Sequence, residues 1–227
     1  MTPGAVIFDF NGTVSDDEQL LAELFHEIFA EVGIDVPASL YFEEFVGYSD
    51  AEICQRLLAR FGRADEDGLA ERLVARRTEL YLEAQRERPT VGPQAVEMVR
   101  QVAARVPVAI ASGAARLEIE TVLEASGLRD LFQVLVCLED VTNGKPDPEG
   151  YLVALDRLNR DRPSPIEATD VLVFEDSEQG LKAATSAGMR CVMVAGPTPA
   201  ARLAGAACIV ESLDWSIPVV RELFDAD

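Results

Sequence analysis

Residues 6–14 read VIFDFNGTV. Val6, Ile7 and Phe8 form an uninterrupted β-branched and aromatic run, the pattern of a strand buried on both faces. The run ends at Asp9, and Phe10, Asn11, Gly12 and Thr13 follow, with a glycine to turn the chain. An acid at the end of a buried strand, just ahead of a glycine turn, is placed for chemistry. Taken alone, it is also what an ordinary turn or cap residue looks like. The rest of the chain decides between the two.

Five further segments share the continuous apolar character of the first, AVIFDF (5–10): VPVAIAS (106–112), QVLVCL (133–138), DVLVFED (170–176), CVMVAG (191–196) and ACIVES (207–212). Helical periodicity lies between several of them, over 94–104, 115–126, 148–159 and 178–187. Pro148 stands at a first-turn position, and Gly127 and Gly188 are placed to end their helices. This alternation predicts an α/β fold, a Rossmann-like parallel sheet covered on both faces. Residues 16–90 contain no strand pattern. Leu20, Leu21, Leu24, Phe25, Ile28, Phe29 and Val32 recur at helical spacing, as do Ile53, Leu57 and Leu58, then Leu69, Leu73, Leu80 and Leu82. We therefore expect a core domain made of 1–15 and 91–227, with a helical cap domain inserted at 16–90.

Composition narrows the partners. The 227 residues, 48% hydrophobic and 26% charged, suit a globular protein of one domain plus an insertion. A net charge of −20 excludes the basic stripe that a nucleic-acid partner needs. No apolar run is long enough for a membrane helix, and no secretory signal pattern opens the sequence. Cys54, Cys137, Cys191 and Cys208 are scattered without a CxxC pair. They read as buried reduced thiols in a cytoplasmic protein, present as a monomer or homodimer. A chain this acidic repels anions, so a phosphate site must be locally positive or carry a metal. Only two lysines are present, Lys145 and Lys182.

In an open parallel sheet, ligands bind beyond the carboxyl ends of the strands. Asp9, Ser112 and the pair Glu175–Asp176 all fall at predicted strand ends, and Lys145 lies in the loop NGKPDPEG after another strand. Each has an ordinary reading as a turn, cap or solvated loop residue. Four such positions in one sheet are hard to attribute to solvation.

DFNGT (9–13), IASG (110–113), GKPDPEGY (144–151) and VFEDSEQG (173–180), in that order and over nearly the whole chain, resemble the four motifs of the haloacid dehalogenase superfamily. The closest resemblance is to its phosphoglycolate phosphatase and β-phosphoglucomutase branch, which carries a helical cap in this place. The resemblance implies a Mg²⁺-dependent phosphatase acting on a small phosphorylated metabolite through an aspartyl-phosphate. Asp9 would be the nucleophile and Lys145 the cation that neutralises both nucleophile and substrate. Ser112 and the Gly113 and Ala114 amides would bind phosphate oxygens near a helix N-terminus. Asp9, Glu175, Asp176 and the Asn11 backbone carbonyl would hold Mg²⁺, hard oxygen donors for a hard cation. For the substrate's non-reacting end we expect Arg77 or Arg76 in the cap, or Arg116 at the start of the helix after Ser112. His26, the single histidine, is expected on a helix surface.

Within the superfamily, Glu175–Asp176 argues against metal-independent dehalogenases, and a cap without lysine argues against Schiff-base phosphonatases. Mutases carry a phosphate-gripping arginine in a GxSR-type segment. The corresponding Gly47-Tyr48-Ser49-Asp50 ends in an acid that would repel a second phosphate. A phosphatase remains, with a phosphomutase or phosphotransferase and a catalytically impaired phosphate-binding protein as alternatives.

Asn11 is the departure. The family has a second aspartate there, which protonates the leaving oxygen and then activates water. An amide cannot exchange a proton at neutral pH. The residue is either natural to a slow or specialised hydrolase, an Asp-to-Asn change introduced to trap an intermediate, or a mark of a non-catalytic role. Restoring the acid is expected to raise turnover by about 10²–10⁴. Asp17, where the family more often has Ser or Thr, is either a substitute base or, by the favoured reading, the cap of the first cap helix.

Overall fold

In the computed structural model, residues 2–64, 66–196 and 202–224 are described. Six strands, β1 (Ala5–Phe8), β2 (Val108–Ala111), β3 (Val134–Val136), β4 (Val171–Glu175), β5 (Arg190–Val194) and β6 (Cys208–Val210), form one sheet. Its order is β3-β2-β1-β4-β5-β6, and every pairing is parallel. All six strands fall on the apolar runs in the sequence; β5 starts one residue earlier, at Arg190, and each strand stops short of its run at one end or both.

Because strand side chains alternate, each central strand feeds two cores. Val6, Phe8, Ile110, Leu172 and Phe174 face one side, and Ala5, Ile7, Ala109, Val171 and Val173 face the other. The second side is closed by α7 (Glu149–Asn159) and α8 (Glu178–Ser186) through Tyr151, Ala154 and Leu181. The first is closed by α5 (Pro93–Ala103) and α6 (Arg116–Ala125) through Met98, Val99, Ile119 and Leu123, and by Val220 of the short C-terminal α9 (Pro218–Glu222). Phe8 stacks on Phe174 at 5.3 Å between ring centroids and locks β1 to β4. Truncating such a ring to Ala costs about 3–5 kcal/mol.

Between β1 and α5 the chain forms four helices, α1 (Glu18–Glu31), α2 (Ala38–Glu44), α3 (Asp50–Arg60) and α4 (Leu69–Glu87). Their apolar stripes pack on one another, and the cluster they form is continuous with the Phe8 side of the sheet. The two connections to this helical region are tied together where they run side by side. The Asp16 amide donates to the Thr90 carbonyl at 3.0 Å, and the Ser15 and Thr90 hydroxyls lie 2.5 Å apart. Three of the four cysteines are buried as expected, but Cys208 on the last strand is only half-buried.

Candidate functional site

The sheet order reverses direction between β1 and β4, which opens a crevice at their carboxyl ends. Asp9 ends β1 there, its amide still on the ladder through the Phe174 carbonyl at 2.9 Å. Asp176 follows β4 directly. Both side chains line one cavity together with Asn11, Ser112, Gly113, Ala114 and Lys145 on the sheet side, and Glu18, Tyr41, Asp50 and Arg77 from helices α1–α4 with Tyr48 from the α2–α3 connection. A wider groove of about 810 Å³ adjoins it, between Tyr48, Ser49 and Arg56 on one bank and the loop 141–148 on the other.

Lys145 Nζ lies 2.6 Å from Asp9 Oδ1 and 2.5 Å from Glu175 Oε1. Burial alone would pull this ammonium down, but the two carboxylates outweigh it and hold it above its usual value. Burial pushes Asp9 up to about 7, opposed by Lys145 and reinforced by Glu175. Asp176 is raised well above the usual carboxylate range by burial, then by Glu18 and Glu175. Acids this unfavourable at neutral pH call for more positive charge than one lysine supplies.

Asp9, Glu175 and Asp176 are buried and offer oxygens that all lie within 4.8 Å of one another. Asp176 Oδ2 has no hydrogen-bond partner. An all-oxygen cluster with an unpartnered, wholly buried carboxylate oxygen fits a hard divalent cation such as Mg²⁺. The three acids are not equivalent, however. Glu175 Oε1 accepts from Lys145 and, at 3.1 Å, from the Tyr151 hydroxyl. Its Oε2 accepts from the Asp176 amide at 2.9 Å, and from the Ser177 amide and hydroxyl at 2.8 and 3.0 Å. Glu175 is therefore saturated by the protein, and Asp176 is the open acid.

Two glycines make this packing possible. A Cβ on Gly180, in the first turn of α8, would overlap the Glu175 carboxylate. One on Gly12 would overlap Asp176 Oδ2, and Gly12 also has φ +70°, which side chains rarely adopt. Ser177 caps α8 by accepting from the Gly180 amide at 3.0 Å.

The phosphate-binding residues expected after β2 are present in the cavity wall, but Ala114 donates its amide to Ser112 Oγ at 3.2 Å, which leaves Gly113 the more open of the two. Arg116 does not reach the cavity. It sits 2.5 Å from Asp140 and pairs with Glu120, while its amide donates to Glu139, because three acids surround the start of α6. Arg76 is likewise spent outside, on Glu31 and Glu79.

Arg77 lines the cavity but is 1% exposed, and its guanidinium is held by Asp50 and, at 2.9 Å, by Glu118 of α6. Thr78 also donates to Glu118, at 2.7 Å. Arg77 is thus first a clamp between cap and core. Asp50, expected as a bare repelling charge, is answered by it.

Asp17 corrects the favoured expectation. It occupies the N-cap position of α1, yet its side chain makes no cap bond. The side chain turns inward to Asn11, Gly12, Ser15 and Tyr81 instead. Glu18 was missed in the sequence. It lines the cavity, is 8% exposed, has an unpartnered Oε2, and is pushed up to about 8 by burial and by Asp17. The signal available was its place in the first turn of a helix starting just after the Asp9 loop. His26 is exposed, as expected.

Comparison with known proteins agrees with this geometry. The model of the haloacid dehalogenase-like hydrolase family matches residues 6–194. The chain is 32% identical over 186 residues to the phosphorylated carbohydrates phosphatase of Thermotoga maritima, covering 82% of each. It is 30% identical over 208 residues to the validoxylamine A 7'-phosphate phosphatase of Streptomyces hygroscopicus subsp. limoneus, covering 91% of this chain and 92% of that one. Among solved structures, an Asp-to-Asn mutant of CbbY from Rhodobacter sphaeroides, in complex with xylulose-(1,5)bisphosphate, superposes with a TM-score of 0.79 at 26% identity, covering 93% and 95% of the two chains. A β-phosphoglucomutase from Clostridium difficile shares the fold, with a TM-score of 0.83 at 22% identity over 99% and 97% of the chains. With a strand-end acid, a cation and an open acid at the switch point of its sheet, and a family match over residues 6–194, the chain belongs to the haloacid dehalogenase-like hydrolases.

Proposed function

We propose that this protein is a Mg²⁺-dependent phosphatase that hydrolyses a monoester of a small phosphorylated metabolite through an aspartyl-phosphate on Asp9. The observation that carries the reading is the contact of Lys145 with Asp9 at 2.6 Å, in a cavity that also holds the unpartnered Asp176. Asp9 attacks phosphorus in line, and the bond to the leaving oxygen breaks as the Asp9–phosphorus bond forms. Lys145 offsets the charge of nucleophile and phosphoryl oxygens together. Ser112 and Gly113, after β2 on the same wall, orient those oxygens.

Asp9, Asp176 and the Asn11 carbonyl would hold Mg²⁺, with Glu175 behind them fixing Lys145. When bound, the ion supplies the positive charge that lets a phosphate dianion enter among acids. Glu18 is the cavity carboxyl group left to carry a proton at Oε2, which Asn11 cannot do. The named phosphatase relatives act on phosphorylated compounds, which supports the substrate class. Arg77 is committed to two acids, which weighs against the bisphosphate grip of a mutase. The thiols of Cys54 and Cys137 are pushed up to about 12 by burial, consistent with reduced side chains in a cytoplasmic protein. Among the described residues no helix is long and apolar enough to cross a membrane.

Phosphate release from a panel of phosphorylated sugars and polyols, with Mg²⁺ and with excess chelator, tests the reading. Release that needs Mg²⁺, and phosphate trapped on Asp9 and located by mass spectrometry, are expected. Full turnover in chelator, or an unmodified Asp9 during turnover, would overturn it.

A further inference from the structure

Asn11 is held by an acid of its own. Its Nδ2 donates to Asp17 Oδ2 at 2.9 Å. The same carboxylate accepts from the Gly12 amide at 3.2 Å, the Ser15 hydroxyl at 2.7 Å and the Tyr81 hydroxyl at 2.6 Å. Asp17 is wholly buried and does not line the cavity, whereas Asn11 does. Three of these donors converge on Oδ2 and one on Oδ1, and every partner has a hydrogen to give.

We propose that Asp17 is a positioning residue that fixes the rotation of the Asn11 amide, so that Asn11 presents Oδ1 to the water or hydroxyl beside the reacting phosphoryl group and acts there as a hydrogen-bond acceptor. An amide has one donating and one accepting end. Reversing it would set Oδ1 against Asp17 Oδ2, two buried acceptors facing each other without a proton between them. With one N–H of Nδ2 committed to Asp17, Oδ1 is the accepting end left for the cavity. A water or hydroxyl at that point donates to Oδ1 and is oriented by it, but keeps its proton.

The inference reverses one expectation from the sequence. A lone Asn11→Asp change is not a repair, because the new carboxylate would face Asp17 in a buried setting, and like charges there repel. Acid and neutral partner go together, so a working acid at position 11 requires a neutral hydrogen-bonding side chain, such as an amide, at 17. The inference rests on the phosphatase reading for its kinetic test only.

The experiment compares the parent with Asn11→Asp, Asp17→Asn and the swapped double variant Asn11→Asp/Asp17→Asn. Turnover of the best substrate from the phosphate-release panel is measured alongside exchange of the Asn11 side-chain amide protons by NMR. We expect Asn11→Asp alone to lose at least ten-fold in kcat with KM within two-fold, and the swap to return kcat to the parent value or above it. In the parent, the Asn11 NH₂ signals, identified by their loss in Asn11→Asp, should exchange far more slowly than exposed side-chain amides. A gain in kcat from Asn11→Asp alone that Asp17→Asn does not increase overturns the proposal, as does exchange at the exposed rate. If the parent releases no phosphate from any substrate, the phosphatase reading fails, and the exchange rate in the parent still decides the Asn11–Asp17 pair.

Discussion

The two walls of the cavity are built differently. The sheet wall takes Asp9, Ser112 and Asp176 from the ends of three hydrogen-bonded strands and Lys145 from the loop after β3 and leaves a cation between two acids. The cap wall takes Tyr41, Tyr48, Asp50 and Arg77 from separate helices and their connections, and spends its cation on two acids. On the proposed reading, charge on the first wall is poised for an incoming phosphate. Charge on the second is already balanced and acts as structure. A buried arginine near a substrate pocket is therefore no measure of substrate charge until its partners are counted.

Substitutions can break this contrast or sharpen it. The largest effect is expected on the sheet wall: Asp9→Ala should lower kcat by about 10⁴-fold or more while thermal unfolding stays cooperative. A variant that keeps a tenth of the parent rate would remove the nucleophile from that wall. Next is Glu18→Gln, which keeps the shape but not the proton, and should cost about 10²–10⁴ in kcat. An unchanged rate with a poor leaving group would place the acid–base group elsewhere.

On the cap wall, Arg77→Ala should act on stability first. It leaves Glu118, which is 0% exposed, without its charge partner, and breaking a buried pair from one side costs about 3–5 kcal/mol. For a chain of this size that is a fall in Tm of roughly 6–20 °C. If Tm holds and KM rises instead, Arg77 is a substrate residue and the contrast fails.

The metal-free protein should lose stability as pH rises from about 5 to 8. Asp9 and Glu18 titrate near 7 and 8 in the fold, against about 4 in the unfolded chain. Between those limits the folded state binds more protons, so stability is fully present below the unfolded value and is lost as pH climbs through the folded ones. Calorimetry across this range should show Tm falling, and Mg²⁺ should flatten the slope. A Tm that rises with pH would show these acids ionised in the fold. The smallest effect is expected from Arg116→Ala, a half-exposed pair worth under about 1 kcal/mol, with KM unchanged in steady-state assays.

The contrast also explains what could be read in advance. The six strands and the four helices between and beside them announced themselves because a doubly buried strand has one composition and its end one location. Asp9 and Asp176 can be placed from that alone; Lys145, in a loop, stands out beside them, and a role for each comes only with the family resemblance. Arg77 was legible as a residue of interest but not as a clamp, since Glu118 lies 41 positions away and only packing of α4 on α6 brings them together. Asp17 misled for a related reason. Its sequence context is that of a helix cap, and the competing donor that wins it, Tyr81, arrives from 64 residues further along. Glu18 was hidden because a first-turn acid is the commonest of helix residues.

Gly180 carries no functional group and lies in the hidden first turn of α8, yet it is the hollow into which the Glu175 carboxylate is cast. A single added methyl there would evict that carboxylate, and with it one of the two counter-ions of Lys145 and the anchor of the Tyr151 hydroxyl. The disturbance would reach Asp9 without any reacting residue having been changed. Part of what defines this site is therefore empty space, and a survey of its polar side chains alone would leave that part unseen.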